Sequence, residues 1–196
     1  DVVLELEGQN SITVNSYDKA GINVSDGTFT ITGEKDDSLN VAFEDNNNIN
    51  YAAAIGSDYK EDFTGNINIE GGKIKATSSF GTGIGSGYRG DMFGTITISG
   101  GEVTASSEYG AGIGSGYGGE MSGTGTITIS DGEVNASSSF GGAGIGSGEY
   151  RNMSGKINIS GGKVNASSKY DAGIGSGMAG NMSGTITISG GEVTAS

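Results

Sequence analysis

The chain of 196 residues has the length of a single domain and a biased composition, with 40 glycines but no proline, cysteine or histidine. Its formal net charge is −13 with only ten lysines and arginines, which argues against a nucleic-acid partner, because a phosphate backbone requires clustered basic side chains. No run of about 20 apolar residues predicts a membrane-spanning segment, and without cysteine the redox compartment cannot be inferred.

The first third of the chain is its acidic part. Residues 1–62 hold thirteen carboxylates against three lysines, a net charge of −10. Two alternating apolar pairs, each followed by a glycine, are predicted to be degenerate copies of a strand that recurs later: Leu4/Leu6 and Phe29/Ile31. The repeat is therefore expected to start near the first residue.

An acidic cluster lies within this first third. Its members are Glu34, Asp36, Asp37, Glu44 and Asp45, beside Asn46, Asn47 and Asn48. Carboxylate and amide oxygens are the ligands that calcium prefers, so this cluster is one candidate site for a structural Ca2+ ion. Acids that are simply solvated in a loop are the competing interpretation.

From residue 63 onward the chain is a regular repeat. The motif GIGSG occurs four times, at intervals of 29, 32 and 29 residues, and two degenerate copies precede it. Its isoleucines are Ile84, Ile113, Ile145 and Ile174, with Ile55 and Ile22 in the degenerate copies. A second motif, of the ITIS type, precedes each Gly-Gly or Asp-Gly turn, with the pairs Ile67/Ile69, Ile96/Ile98, Ile127/Ile129, Ile157/Ile159 and Ile186/Ile188. Self-similarity at a fixed period indicates a solenoid.

Each repeat unit is predicted to contain three short strands. Alternation in T-I-T-I-S puts the isoleucines on one face, E-V-T-A-S alternates again after a turn, and GIGSG forms a third, tight segment. Glycine would cost a helix about 1 kcal/mol per residue, which excludes helical solenoids, and a propeller blade needs about 40 residues. We therefore predict an all-β, right-handed parallel β-helix of about seven coils. Residues 1–196 form one domain, with degenerate acidic coils in 1–62 and regular coils in 63–196.

Stacking of the coils turns each repeat position into a column, and two columns are aromatic. One precedes GIGSG and holds Tyr51, Phe80, Tyr109, Phe140 and Tyr170, with Tyr17 as a further member. Phenylalanine and tyrosine interchange in it, which favours a structural stack. The other lies in the longest loop, after GIGSG, and holds Tyr59, Tyr88, Tyr117 and Tyr150, the last displaced by one residue, followed by Met178. Because loops commonly carry binding residues and aromatic rings suit the apolar side of a sugar, we predict that these four tyrosines bind the ligand.

A third column pairs an apolar residue with a polar one. The apolar members, which are expected to pack the loop against the core, are Phe63, Met92, Met121, Met153 and Met182. The polar residues directly before them are Asp62, Asp91, Glu120, Asn152 and Asn181. Asp62, Asp91 and Glu120 are the candidate calcium ligands, although one carboxylate per loop favours hydrogen-bonded loop closure as the competing interpretation.

Catalysis has little support in this sequence. Without histidine the chain lacks the commonest general base and any Ser-His-Asp triad. Outside the acidic cluster of the first third, its acids are scattered singly among loops, whereas glycosidases use a facing pair. Arg89 and Arg151 lie in equivalent loops two coils apart, each without an acidic cluster in its own coil. We expect a protein that is not an enzyme, with a lyase-like enzyme as a minor alternative.

The outward threonines suggest one further alternative. Thr97, Thr128 and Thr187 align in a column, like the flat threonine faces of ice-binding solenoids. Asn68 and Asn158 interrupt the same column, which makes ice binding a minor hypothesis.

The unit GTITISGGEVTASSEYGAGIGSG resembles repeats in surface and secreted proteins of clostridia and related gut Firmicutes. It is similar to carbohydrate-binding β-helix proteins that share the polysaccharide-lyase architecture without clear lyase activity, and the likeness is strongest over residues 67–196. The resemblance implies a secreted or cell-surface bacterial protein that binds plant cell-wall or host glycans, with calcium as a structural ion. It assigns no individual binding residue.

The predicted function is a non-catalytic carbohydrate-binding or adhesion module whose partner is a polysaccharide or host glycan. A purely structural stalk segment of an adhesin is the alternative. Because the chain begins and ends at strands without a capping element, we expect a fragment of a longer surface protein, with open coils that favour end-to-end self-association.

Overall fold

The computed structural model describes residues 1–44 and 49–196. This part of the chain contains twenty strands and no helix, and hence no helix that is long and apolar enough to cross a membrane.

The strands form three parallel sheets that run the length of the solenoid. Sheet A contains β1 (Val2–Leu6), β4 (Thr28–Gly33), β7 (Asn66–Ile69), β10 (Thr95–Ile98), β13 (Thr126–Ile129), β16 (Lys156–Ile159) and β19 (Thr185–Ile188). Sheet B contains β2 (Gln9–Val14), β5 (Ser38–Phe43), β8 (Lys73–Thr77), β11 (Glu102–Ser107), β14 (Glu133–Ser138), β17 (Lys163–Ser168) and β20 (Glu192–Ala195). Sheet C contains β3 (Ile22–Asn23), β6 (Ile55–Gly56), β9 (Ile84–Gly85), β12 (Ile113–Gly114), β15 (Ile145–Gly146) and β18 (Ile174–Gly175).

One strand from each sheet makes up one coil of the solenoid. The chain thus winds through about seven coils, and the paired residues of adjacent regular coils are mostly 29 residues apart. The predicted parallel β-helix with three short strands per coil is confirmed.

Residues at the same repeat position are paired between adjacent coils. All five ITIS segments are in register in sheet A. In sheet C, Ile113 pairs with Ile84, and the two degenerate copies of GIGSG pair in the same way, Ile22 with Ile55. The repeat alignment derived from the sequence is therefore correct for the regular coils and for both degenerate copies of GIGSG.

The first coil differs from the predicted alignment. Leu4 pairs with Ile31, and it is Val2, not Leu4, that pairs with Phe29. The predicted match of Leu4/Leu6 to Phe29/Ile31 was therefore wrong by two residues. Val2, Leu4 and Leu6 alternate along the strand, so a shift of the pairing by two residues keeps the same face of the strand toward the core. The apolar pattern alone therefore does not distinguish the two registers, and only the pairing with β4 does.

The interior is a set of aligned apolar columns. Ile98, Val103 and Ile113 are completely buried, as are the equivalent residues of the neighbouring coils. Thr97, between two buried isoleucines, faces outward and is half-buried. The alternation of ITIS and EVTAS therefore directs isoleucine, valine and alanine inward, as predicted.

Glycine occupies the second position of five sheet C strands, and in β6, β9, β12 and β15 the close approach of the next coil requires it. Gly114 has a φ of 138°, and a Cβ atom there would overlap the carbonyl oxygen of Gly146 in the next coil. The glycine that follows isoleucine in the GIGSG motif thus combines an unusual backbone conformation with a contact that no side chain permits.

Candidate functional site

The serine of the GIGSG motif anchors the loop that follows sheet C. The buried Ser115 hydroxyl donates to the carbonyl oxygen of Gly119 at 2.7 Å and accepts the backbone N–H of Gly148, one coil further on, at 3.2 Å. The same two hydrogen bonds are made by Ser57, Ser86 and Ser147. Each loop is thereby closed and tied to its neighbour, a role that the sequence reasoning missed although serine stands in every copy of the motif from Ile55 onward.

The two aromatic columns meet on this loop surface and form one aromatic ladder. It consists of Tyr17, Tyr51, Tyr59, Phe80, Tyr88, Tyr109, Tyr117, Phe140, Tyr150 and Tyr170. Neighbouring ring centroids lie between 4.5 and 6.3 Å apart. The backbone joins the two columns, because the N–H of Tyr117 donates to the carbonyl oxygen of Phe80. Two columns that were predicted separately are therefore a single surface.

Three of the four predicted binding tyrosines lie side by side along the solenoid. The rings of Tyr88 and Tyr117 are stacked, with centroids 5.2 Å apart and planes inclined by 2°. The ring of Tyr59 lies 5.5 Å from that of Tyr88, with planes inclined by 40°. All three side chains are half-buried. Because Tyr88 and Tyr117 stack on each other, the ring faces that they turn toward one another are covered, and a ligand would reach these rings at their edges. Stacked pairs of this kind stabilise a fold by about 0.5–1.5 kcal/mol each.

Tyr150 lies beside this stack and does not continue it. The residue at the position of Tyr117 in the next coil is Glu149, and Tyr150 occupies the following position, with a φ of 66°. Its ring is 53% exposed and meets Tyr117 at 5.7 Å with planes inclined by 80°. The one-residue displacement expected from the sequence therefore turns this ring out of the stack and leaves it accessible.

Glu149 brings a carboxyl group under the aromatic ladder. The residue is only 6% exposed. Burial, aided by the negative charge of Asp171, raises the pKa of Glu149 above its usual range, and a hydrogen bond with the Tyr150 hydroxyl opposes the shift. Burial likewise raises the pKa of Asp171, whose buried Oδ2 has no hydrogen-bond partner within the described residues. In the sequence, this carboxyl group is marked by GSGEY at residues 146–150, where the two preceding coils have GSGY.

A polar groove opens beside Tyr150 and Gly118, which occupy the same loop position in adjacent coils. The groove has a volume of about 550 Å³. It is lined by Tyr117, Gly118 and Tyr150, by the arginines Arg89 and Arg151, and by the acids Asp91 and Glu120. The two arginines, which the sequence placed in equivalent loops, thus face one cavity together with two carboxylates.

The candidate calcium ligands Asp62, Asp91 and Glu120 form a hydrogen-bonded column. One oxygen of Asp62 accepts the backbone N–H of Asp91 at 2.8 Å, and one oxygen of Asp91 accepts that of Glu120 at the same distance. Glu120 accepts the Ser154 hydroxyl through its Oε1 atom. Within residues 1–44 and 49–196, no group of three or more His, Cys, Asp or Glu side chains is placed to hold a metal ion. The assignment of these residues to calcium stays a prediction.

The apolar residues that directly follow these polar residues form backbone β-bridges from coil to coil, as expected of residues that pack each loop against the core. The backbones of Phe63, Met92, Met121, Met153 and Met182 pair in series. Phe63, Met92, Met121 and Met153 are completely buried, whereas Met182 is 47% exposed.

The acidic cluster of the first third closes a turn. Asp37 accepts the backbone N–H of Gly8 at 2.6 Å through one carboxylate oxygen and that of Glu34 at 2.9 Å through the other. Asp45 of this cluster and the adjacent Asn46, Asn47 and Asn48 lie outside the described residues.

The outward face of sheet A retains the interruptions expected from the sequence. Thr97 pairs with Asn68, and Thr128 pairs with Asn158. The threonine column is therefore broken by asparagine in two coils.

A family model described as a β-helix repeat matches residues 67–88, 96–117, 127–149, 157–178 and 186–196, slightly more than half of the chain. Each matched segment begins at the first isoleucine of a sheet A strand, and the first four end at Tyr88, Tyr117, Glu149 and Met178. The family repeat therefore assigns Glu149 to the tyrosine column, as the coil-to-coil hydrogen bonds do. No curated protein and no solved structure matches the chain significantly.

Proposed function

The chain belongs to the β-helix repeat family, and from that premise we propose that it is a non-catalytic carbohydrate-binding or adhesion module of a secreted or cell-surface bacterial protein. The observation that carries the proposal is the meeting of the aromatic ladder with a polar groove on one loop surface. Sugars have apolar C–H faces and many hydroxyl groups, so their binding sites combine aromatic rings with convergent polar side chains.

The spacing of the ladder suits a repeating ligand. Adjacent rings of the tyrosine column are 5.2 and 5.5 Å apart, close to the rise of about 4.8 Å between parallel strands. A linear polysaccharide parallel to the solenoid axis would meet one ring edge and one tyrosine hydroxyl per sugar unit. Each contact is weak, and the affinity would come from several contacts acting together.

A structural stalk is the second candidate, and the ring stacking favours it. The central rings cover one another, as Phe80 and Tyr109 do at 4.5 Å with planes inclined by 12°. Rings arranged in this way stiffen the corner between coils whether or not a ligand binds. A stalk would bind no glycan, and its ladder would matter only for stability.

The two candidates are separated by a glycan array followed by calorimetry. The array carries cello-, manno- and chito-oligosaccharides together with oligogalacturonates, and the best probe is titrated as oligomers of increasing length. We expect affinity to rise with length, because each added sugar reaches a further coil. If the wild-type protein binds none of these glycans, the carbohydrate proposal is wrong.

The tyrosine column is tested by replacing Tyr88 and Tyr117 together with phenylalanine. The rings and their stacking remain, so the melting temperature should stay close to that of the parent, while the hydroxyls at the ring edges are lost. We expect affinity to fall about tenfold for two lost hydrogen bonds. The control is the Tyr170→Phe variant, whose 61% exposed ring is outside the tyrosine column. Unchanged affinity in the double variant would show that the two hydroxyls do not contact the ligand.

A further inference from the structure

The groove beside Tyr150 exists because one side chain is missing from a column. The loop position after the tyrosine column is left-handed in five successive coils, where it is occupied by Lys60, Arg89, Gly118, Tyr150 and Ala179. Gly118 therefore stands between two long side chains, those of Arg89 and Tyr150. These two positions are two coil spacings apart, about 10 Å, and the groove of about 550 Å³ that includes the gap is large enough for one pyranose ring.

The charged groups around this gap retain hydrogen-bonding capacity. Arg151 donates through Nε to the carbonyl oxygen of Gly118 at 3.1 Å, and the guanidinium of Arg89 lies 5.1 Å from the ring centroid of Tyr88. Within the described ranges neither arginine forms an ion pair with a carboxylate. Within the described residues, the terminal nitrogens of both guanidinium groups thus remain as donors at the groove.

The two acids supply the matching acceptors. One oxygen of Asp91 accepts a backbone N–H, and one oxygen of Glu120 accepts the Ser154 hydroxyl. The second oxygen of each carboxylate makes no hydrogen bond in the part of the chain that the structure describes. Two positive and two negative charges therefore line the groove, which is neutral in sum although the protein carries −13.

We propose that the Gly118 gap is a subsite for a single neutral hexopyranose unit, at the end or on a side branch of the glycan. This assignment rests on the proposed carbohydrate-binding function. The apolar face of the sugar packs on the accessible ring of Tyr150, and its hydroxyls accept from Arg89 and Arg151 and donate to Asp91 and Glu120. A neutral sugar satisfies donors and acceptors together, whereas a uronate carboxylate that paired with the arginines would leave the two acids without donors and add a third negative charge to the groove.

Position 118 offers a matched pair of variants. Lys60 and Ala179 show that lysine and alanine both adopt the required conformation at this repeat position. A Cβ atom at residue 118 would contact only the Arg89 side chain, at 3.2 Å. Gly118→Lys fills the gap and Gly118→Ala leaves most of it open, while both lose the same glycine flexibility. Melting curves should therefore be alike for the two variants.

The experiment is calorimetric titration of the parent and both variants with cellohexaose, mannohexaose and hexagalacturonate. We expect Gly118→Lys to weaken binding of the neutral hexasaccharide about tenfold or more, and Gly118→Ala to remain within about threefold of the parent. Tyr150→Ala should match the loss caused by Gly118→Lys. Hexagalacturonate should bind more weakly than the neutral probes.

Three results would overturn the subsite, and they differ from failure of the proposed function. Equal affinity of Gly118→Lys and the parent would show that the gap is unoccupied, while binding elsewhere on the ladder persisted. Equal loss in Gly118→Ala and Gly118→Lys would assign the effect to the backbone. Tighter binding of hexagalacturonate would refute the neutral sugar. Absence of any binding by the parent would instead refute the carbohydrate function itself.

Discussion

At the scale of single residues, Glu149 is a carboxyl group that the fold buries almost completely, with 6% of the residue exposed. Burial and the neighbouring Asp171 raise its pKa, so the folded state holds the carboxyl proton more tightly than the unfolded state does. The resulting linkage has a definite sign. Folding is favoured most below the unfolded pKa of about 4.3, and stability is lost as the pH rises from there through the higher folded pKa.

We therefore predict that Glu149→Gln stabilises the protein at neutral pH. Glutamine keeps the size and the acceptor oxygen but removes the buried charge and its repulsion by Asp171. The gain should vanish below about pH 4, where the parent carboxyl group is protonated as well. Urea unfolding curves from pH 3.5 to pH 7.5 measure the difference. The exposed Glu70, changed to glutamine, is the control, and a gain that does not depend on pH would contradict this account.

At the scale of the element, each strand divides its side chains between core and solvent. In β10, Ile98 is completely buried, and the adjacent Thr97 points outward. The adjacent coils hold Ile69 and Ile129 at the same position, so a cavity at residue 98 would be enclosed from both sides.

Ile98→Ala should lower the free energy of unfolding by about 2–5 kcal/mol, because it removes buried methylene groups and leaves a cavity in a close-packed interior. Thr97→Ala, on the same strand but facing outward, should change it by about 0.5 kcal/mol or less. Chemical denaturation of both variants provides the comparison. Similar losses for the two variants would mean that the alternation of burial does not govern stability.

At the scale of the whole molecule, the negative charge is distributed unevenly. Residues 1–62 carry −10 of the total −13, and the part of them that the structure describes contains one ion pair, Lys19 with Asp58 at 2.8 Å. The hydrogen bond from the Ala20 N–H and the charge of Lys19 outweigh partial burial and lower the pKa of Asp58, so this pair is charged near neutrality. The other acids of the first two coils repel one another.

Salt should therefore stabilise the first two coils selectively. Raising the ionic strength from about 0.01 to 0.15 M shortens the Debye length from about 30 to 8 Å, which screens repulsion between coils. Coils of a solenoid contact only their neighbours, so protection differs along the stack. We expect amide exchange at residues 1–44 to slow with added salt and exchange at residues 67–159 to change little. A uniform response along the chain would be the contrary result.

The sequence by itself determined the parts of this protein that depend on period. Alternation with period 2 identifies the buried face of a strand, and recurrence every 29 residues aligns the coils, because stacked parallel strands have a fixed separation. The three-sheet solenoid, the buried isoleucine and valine columns and the regular spacing of about 5 Å along the tyrosine column all follow from these two rules. Only the weakly patterned first coil was misaligned.

Tertiary structure alone decided which columns become neighbours across a corner. The folding of the loops beside sheet C brings the two aromatic columns into one ladder, stacks Tyr88 on Tyr117 and turns Tyr150 outward. It also joins Arg89 and Arg151 to Asp91 and Glu120 around Gly118. No periodicity encodes these lateral distances, because they depend on left-handed loop residues and on buried serine hydrogen bonds that set how each loop folds back on the coil.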